Sequence, residues 1–147
     1  MIAVYVPGEP AGQGRPRAWA RMVGGKPRAG VYSPKNSDAW RGAARTIMQQ
    51  QVGAGRNPLA GPLFVRVRFA FALPKSKHRK RHPIETETAH TSKPDVDNLL
   101  KALFDAGTGV LWLDDDQITK LVAEKVYAAQ GHGPYVTIEV EELEETK

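Results

Sequence analysis

Between Leu63 and Leu73 apolar side chains fall on every second residue: Leu63, Val65, Val67, Phe69, Phe71 and Leu73, with Arg66 and Arg68 between them. A period of two is the signature of a strand with one face buried, and Pro74 closes it. A strand of this kind requires a sheet to pair with and a layer to cover its apolar face. The rest of the chain supplies candidates for both. Ile2-Ala3-Val4-Tyr5-Val6 alternates up to Pro7, and Ile118 to Tyr127 and Tyr135 to Val140 read as further strands, the last after a Gly131-Gly133-Pro134 turn. Trp40, Ala43, Ala44, Ile47 and Met48 recur at helical spacing, with Ser33 as expected N-cap, Pro34 at the first helical position, and Gly53 and Gly55 as the stop. This places Trp40 in the core. Leu99, Leu100, Leu103 and Phe104 form a second helical stripe over residues 95–106, ended by Gly107.

The predicted order is β-α-β-loop-α-β-β. It describes a single α+β domain over residues 1–147, with two main helices packed on a small mixed sheet. The segment from Leu73 to Ile118 is long enough for a parallel crossover through its helix. Cysteine is absent, which excludes disulfides and thiolate chemistry. No apolar run is long enough to cross a bilayer, and Met1 leads directly into a strand-like segment without a signal-peptide pattern. The expectation is a soluble, cytoplasmic protein with no membrane partner.

Charge is unevenly distributed. Residues 1–50 carry eight Lys/Arg against two acids, residues 51–94 nine against two, and residues 95–147 four against twelve. A basic front joined to an acidic last third points to a polyanion-binding surface serving an acidic centre. Two segments concentrate the positive charge. Residues 12–30, rich in Gly and Pro, hold Arg15, Arg17 and Arg21 with Trp19 among them, and read as a loop or extended arm. Guanidinium groups there suit phosphate, and an aromatic ring suits base stacking. Residues 74–94 contain Lys75, Lys77, Arg79, Lys80 and Arg81 and read as a mobile basic loop, with His78, His82 and His90 as loop residues lacking metal-ligand spacing. Glu141 to Lys147 reads as a solvated acidic tail.

The chemistry is concentrated in Pro94-Asp95-Val96-Asp97-Asn98-Leu99-Leu100-Lys101 and Trp112-Leu113-Asp114-Asp115-Asp116-Gln117. Carboxylates within ~4 Å of each other repel by several kcal/mol at intermediate dielectric, so a proton, a lysine or a hard cation must neutralise them. Mg²⁺ takes oxygen ligands, keeps several waters and is held by one or two carboxylates plus substrate phosphate. Lys101 lies four residues after Asp97, on the same face of a helix. Taken one at a time, these residues have commoner explanations: Asp95 as a helix cap, Asp97 and Lys101 as an exposed pair, and Asp114 to Asp116 as a polar turn. A Ca²⁺-binding EF-hand loop fails, since Leu100 and Ala106 stand where its glycine and glutamate belong.

Together, Asp95-x-Asp97-Asn98-x-x-Lys101, Phe104-Asp105-Ala106 and Asp114-Asp115-Asp116-Gln117 make the sequence resemble the RusA family of Holliday junction resolvases. Gly12 to Arg17 and Tyr32-Ser33-Pro34 resemble the amino-terminal part of its phage-type members. The resemblance implies a bacterial or phage-encoded Mg²⁺-dependent homodimer, with Mn²⁺ as a substitute, that cuts four-way or branched DNA by paired symmetric nicks in recombination and repair. It also implies products with a 5′ phosphate and a 3′ hydroxyl. Matched position by position, Asp95, Asp97 and Asp115 are its metal-binding carboxylates, Lys101 its essential lysine, and Asn98 and Gln117 supporting residues. The arm and basic loop, with Arg15, Arg17, Arg21, Lys75, Lys77, Arg79, Lys80 and Arg81, are candidate DNA contacts. A regulatory DNA-binding protein that kept the fold and lost the chemistry is the rival reading; intact Asp95, Asp97, Lys101 and Asp115 argue against it.

Overall fold

A computed structural model describes residues 1–13, 17–32 and 36–145, and the side chains of Arg17, Tyr32 and Asn36 fall outside that description. Arg15 and the Ser33-Pro34 helix start therefore lie outside the described residues. Among the described residues, seven strands and two helices follow in chain order: β1 (Ile2–Pro7), β2 (Arg17–Val23), β3 (Lys26–Tyr32), α1 (Asn36–Val52), β4 (Leu63–Phe71), β5 (Thr88–Ala89), α2 (Val96–Gly107), β6 (Ile118–Tyr127) and β7 (Tyr135–Glu142).

The expected α+β fold is present. Five strands form one sheet in the order β1-β7-β4-β6-β5, and β2 and β3 form a separate two-stranded sheet. β4 and β6 run parallel, joined by the crossover through α2, and every other pairing in the large sheet is antiparallel. The alternation of β4 positions it at the centre. Leu63, Val65, Val67, Phe69 and Phe71 are buried, while Arg66 and Arg68 face outward. Against that inner face pack Trp40, Ala44 and Met48 of α1 and Leu99, Ala102, Leu103 and Ala106 of α2, with Val4 and Val6 of β1 and Val136, Ile138 and Val140 of β7. The outer face is polar, where Arg68 pairs with Glu124 and Glu87 at 2.9 Å each.

The structure departs from expectation at several points. The predicted loop or arm is a regular hairpin across residues 17–32, with Gly24 and Gly25, both at positive φ, making its turn. Its residues bury almost nothing, so the sequence carried no core-facing period to reveal the strands. His90 lies in the loop segment just after β5, as expected, but it is not a solvent-exposed residue. It is 7% exposed, stacked on Phe71 with ring centroids 4.2 Å apart and tilted against Tyr127 at 4.6 Å. Burial, with Lys125 and Lys77 nearby, lowers its pKa. The acidic tail starts later than expected, because Glu141 and Glu142 extend β7 against Phe64 and Leu63, and the Glu142 carboxylate accepts the Gly61 N–H at 3.0 Å.

The basic segment after β4 is tied down at several points. Lys75–Lys77 forms a 3-10 turn, the Gln130 side chain bonds both the N–H and the carbonyl of Arg79 at 3.0 Å, and Lys77 Nζ lies 4.5 Å from the Tyr127 ring centre. Its Lys and Arg heads remain exposed to solvent.

Candidate active site

Helix α2 has the site's acidic residues at its two ends. Its entry is prepared by Lys125 of β6, whose ammonium donates to the carbonyls of Ser92 and Pro94, the latter at 2.9 Å. A cis peptide joins Lys93 to Pro94. Asp95 occupies the N-cap position in an extended conformation, and its carbonyl accepts the Leu99 N–H at 3.1 Å. Its carboxylate makes no capping bond to the first turn. The commonest structural use of an Asp at this position is therefore not made, and an exposed carboxylate at the positive end of the helix is left for a ligand. Asp97 stands exposed in the first turn, and Lys101 one turn on, exposed and with no carboxylate at ion-pair distance among the described residues.

Residues 11–13 cross this entry. The Gln13 N–H donates to the Asn98 carbonyl at 3.0 Å, and Gly12 lies so close to α2 that a Cβ there would meet Pro94 Cβ at 2.8 Å. Gln13 Oε1 and Asn98 Oδ1 are buried and have no hydrogen-bond partner among the described residues. Sequence reasoning missed both Lys125 and Gln13. Lys125 reads as an ordinary strand lysine, and Gln13 lies in a Gly-rich segment with no periodic signal.

The second acidic cluster is built at the other end of α2. Trp112 is fully buried against Gly107 and donates its Nε1–H to Thr108 Oγ1 at 3.2 Å, which holds the chain near the helix C-terminus. Arg45 secures that terminus by donating to the Thr108 carbonyl at 2.6 Å, where a cation suits the negative end of the helix. Asp114 then caps the 3-10 turn Asp115–Gln117, accepting the Asp116 N–H at 3.2 Å. Gln117 holds this turn in place. Its Oε1 accepts the N–H groups of Leu113 and Asp114 at 2.8 Å each, and its Nε2 donates to the carbonyls of Leu59 at 2.9 Å and Gly61 at 3.0 Å. Gln117→Leu should cost about 1–3 kcal/mol, because it leaves these backbone groups unpaired. Urea denaturation would measure that loss, and a variant as stable as the parent would mean that water replaces all four bonds.

Asp115 carries a raised pKa. Burial is the largest cause, followed by a hydrogen bond with Asp114 and repulsion from Asp114, Asp105 and Asp116. A carboxyl raised in the folded state binds more protons folded than unfolded between its ordinary and its raised pKa, so stability falls as pH rises through that window and stays lower above it. Asp115→Asn should therefore melt no lower than the parent at neutral pH without divalent metal, with any advantage vanishing in acid. A lower melting temperature at neutral pH would show instead that the carboxylate stabilises the turn.

Asp105, the acid that Asp115 feels on α2, lies ten residues after Asp95, about 15 Å along the helix. Among the described residues no three acidic or histidine side chains are close enough to hold a metal ion. A single chain thus presents Asp95 and Asp97 at one end of α2 and Asp115 at the other. The two exposed carboxylates at the entry suit a hard cation in number and kind, since Mg²⁺ is held by one or two carboxylates with water and phosphate. Three carboxylates around one ion are not available among the described residues of one chain.

Comparison with known proteins agrees with the motif. The chain is 30% identical over 146 residues to the uncharacterized protein YqaN of Bacillus subtilis (strain 168), an alignment covering 97% of this chain and 96% of that protein. The family model described as Endodeoxyribonuclease RusA matches residues 7–141, from the end of β1 through most of β7 and including both acidic clusters. A mixed sheet with two helices on one face, an Asp-x-Asp-Asn entry to α2 and a match over nearly the whole domain lead to one conclusion: the chain belongs to the RusA family of Holliday junction endodeoxyribonucleases.

Proposed function

We propose that this protein is a metal-dependent homodimeric resolvase that nicks branched DNA symmetrically. In each centre Asp95 and Asp97 of one protomer would be joined by Asp115 of a second copy. The observation that carries this reading is the entry to α2, where the Asp95 carboxylate is not used as a cap and Lys101 stands one turn beyond Asp97 without an ion-pair partner among the described residues. Mg²⁺, or Mn²⁺ in its place, bound there would supply Lewis acidity and a more acidic water. Asp95 and Asp97 present hard oxygen donors to the ion. Lys101 stabilises the negative charge that builds on the phosphate as the attacking oxygen adds. Lys125 and Gln13 hold the backbone at the helix entry, and Gln117 holds the turn that carries Asp115. Attack of water on phosphorus with departure of the 3′ oxygen leaves a 5′ phosphate and a 3′ hydroxyl.

A symmetric dimer fits the substrate, because a four-way junction offers two equivalent strands to two equivalent centres. Arg15, Arg17, Arg21, Lys75, Lys77, Arg79, Lys80 and Arg81 supply the positive charge that holds the arms.

Synthetic four-way junctions and matched linear duplexes, incubated with and without Mg²⁺, test the reading. Paired nicks confined to the junction and dependent on the metal are expected. Equal cutting of duplex would indicate a general nuclease, and binding without cleavage would indicate a regulatory DNA-binding protein.

A further inference from the structure

The hairpin β2–β3 has two unlike faces. In its register Trp19 pairs with Gly30, Arg21 with Arg28 and Val23 with Lys26, and residues paired across antiparallel strands share a face. The intervening pairs, Ala18 with Val31, Ala20 with Ala29 and Met22 with Pro27, make the other face. One side is thus cationic and aromatic, and the other is small and apolar. Every described side chain of the hairpin is exposed, and the hairpin shares no strand pairing with the five-stranded sheet.

The cationic face is uncompensated. No acidic residue occurs between Glu9 and Asp38, and none of Arg21, Lys26 and Arg28 has a carboxylate at ion-pair distance among the described residues. Arg21 and Arg28 are direct cross-strand partners, an arrangement of like charges that destabilises a ribbon unless an anion lies between them. Trp19 lies flat across Gly30, where a Cβ would meet its ring at 2.7 Å, and the Arg21 guanidinium stacks 5.0 Å from the centre of the Trp19 ring. Stacking fixes the guanidinium plane and leaves its N–H edge free for phosphate.

We propose that this face of the hairpin, with Arg21, Lys26 and Arg28, is a DNA-contact surface separate from the carboxylate centre, seated on the sugar-phosphate backbone of one duplex arm. The inference rests on the reading of the chain as a branched-DNA nuclease. Seven-residue strands span about 20 Å, the length of about six base-pair steps at 3.4 Å. The hairpin starts four residues after Gln13, which lies against the entry to α2. An arm held along the ribbon would therefore leave the carboxylate centre near its base. Because phosphates are the ligand, the contact is independent of sequence and of branching.

Fluorescence anisotropy with a labelled four-way junction and a labelled linear duplex, in EDTA over a series of KCl concentrations, tests this. Arg21→Ala/Arg28→Ala should weaken binding about 10-fold near physiological salt. It should also flatten the dependence of log affinity on log salt by about 1.8 for both DNAs, at about 0.9 for each phosphate left without its cation. Lys26→Ala should flatten it by about half as much, and Arg21→Lys/Arg28→Lys should retain the slope. An unchanged slope in the double alanine variant, with the parent binding normally, overturns the inference and leaves the nuclease reading standing. An unchanged slope accompanied by dissociation of the dimer in sedimentation also overturns it, and makes the hairpin a subunit interface. Failure of the parent itself to bind either DNA would overturn both readings.

Discussion

Asp97→Asn should lower cleavage of four-way junctions by about 10³-fold, the scale lost when one charge-stabilising group leaves an active centre, while junction binding stays as tight or tighter. Amide for carboxylate keeps size and removes the negative charge that a hard cation requires. It also removes a repulsion with the DNA phosphates, which is why binding should not suffer. Asp115→Asn should behave alike in cleavage. The decisive measurement combines the two, because Asp97 and Asp115 lie toward opposite ends of α2 in one chain. Co-expression of Asp97→Asn and Asp115→Asn chains should yield about half of the dimers as hybrids. If each centre takes Asp97 from one protomer and Asp115 from the other, a hybrid has one centre with both substitutions and one fully intact. The mixture should then regain nicking activity that neither variant shows alone, with single nicks outnumbering paired ones. Purified hybrid dimers that remain inactive would show that the carboxylates work within a chain, and the shared-centre arrangement would fall.

The largest loss of stability is expected from Trp112→Ala. Trp112 is fully buried, meets Phe104 edge-on with centroids 6.0 Å apart, lies against Gly107 and hydrogen-bonds Thr108. Its carbonyl also accepts the Gly109 N–H at 2.7 Å, so the indole anchors the whole reversal between α2 and the Asp114–Asp116 turn. Removing a large aromatic side chain from such a site costs about 3–5 kcal/mol, a large share of the ~5–15 kcal/mol that holds a domain folded. Denaturant unfolding should show the midpoint falling with little change in slope. Thr108→Val keeps most of the packing and removes both hydrogen bonds of the hydroxyl, the one accepted from Trp112 and the one donated to the Phe104 carbonyl at 2.8 Å, so it should cost about 1–2 kcal/mol. Equal losses for the two variants would show that these hydrogen bonds, not the packing, anchor the turn.

The sequence alone marked four of the five strands of the large sheet, both helices and the acidic segments at the two ends of α2. The alternation in Leu63–Leu73 marked β4, the long segment to Ile118 allowed the parallel crossover, and Asp95-x-Asp97-Asn98-x-x-Lys101 marked the entry to α2. These are local signals, since a strand or helix that buries one face must repeat its apolar residues at that element's period. The hairpin β2–β3 was not legible, because a ribbon with neither face in the core is under no such constraint. His90 escaped for a related reason: a single buried ring in an irregular segment has no period, and only the folding of that segment against Phe71 and Tyr127 covers it.

Only the tertiary structure decided which acids stand together. Sequence spacing allowed a turn to bring the cluster at Asp114–Asp116 back to Asp95 and Asp97. Instead, packing of Trp112 on Gly107 keeps that cluster at the far end of a rigid helix. Proximity between residues on either side of a helix is set by where the chain docks after it, and docking is a property of the assembled core, not of spacing along the chain.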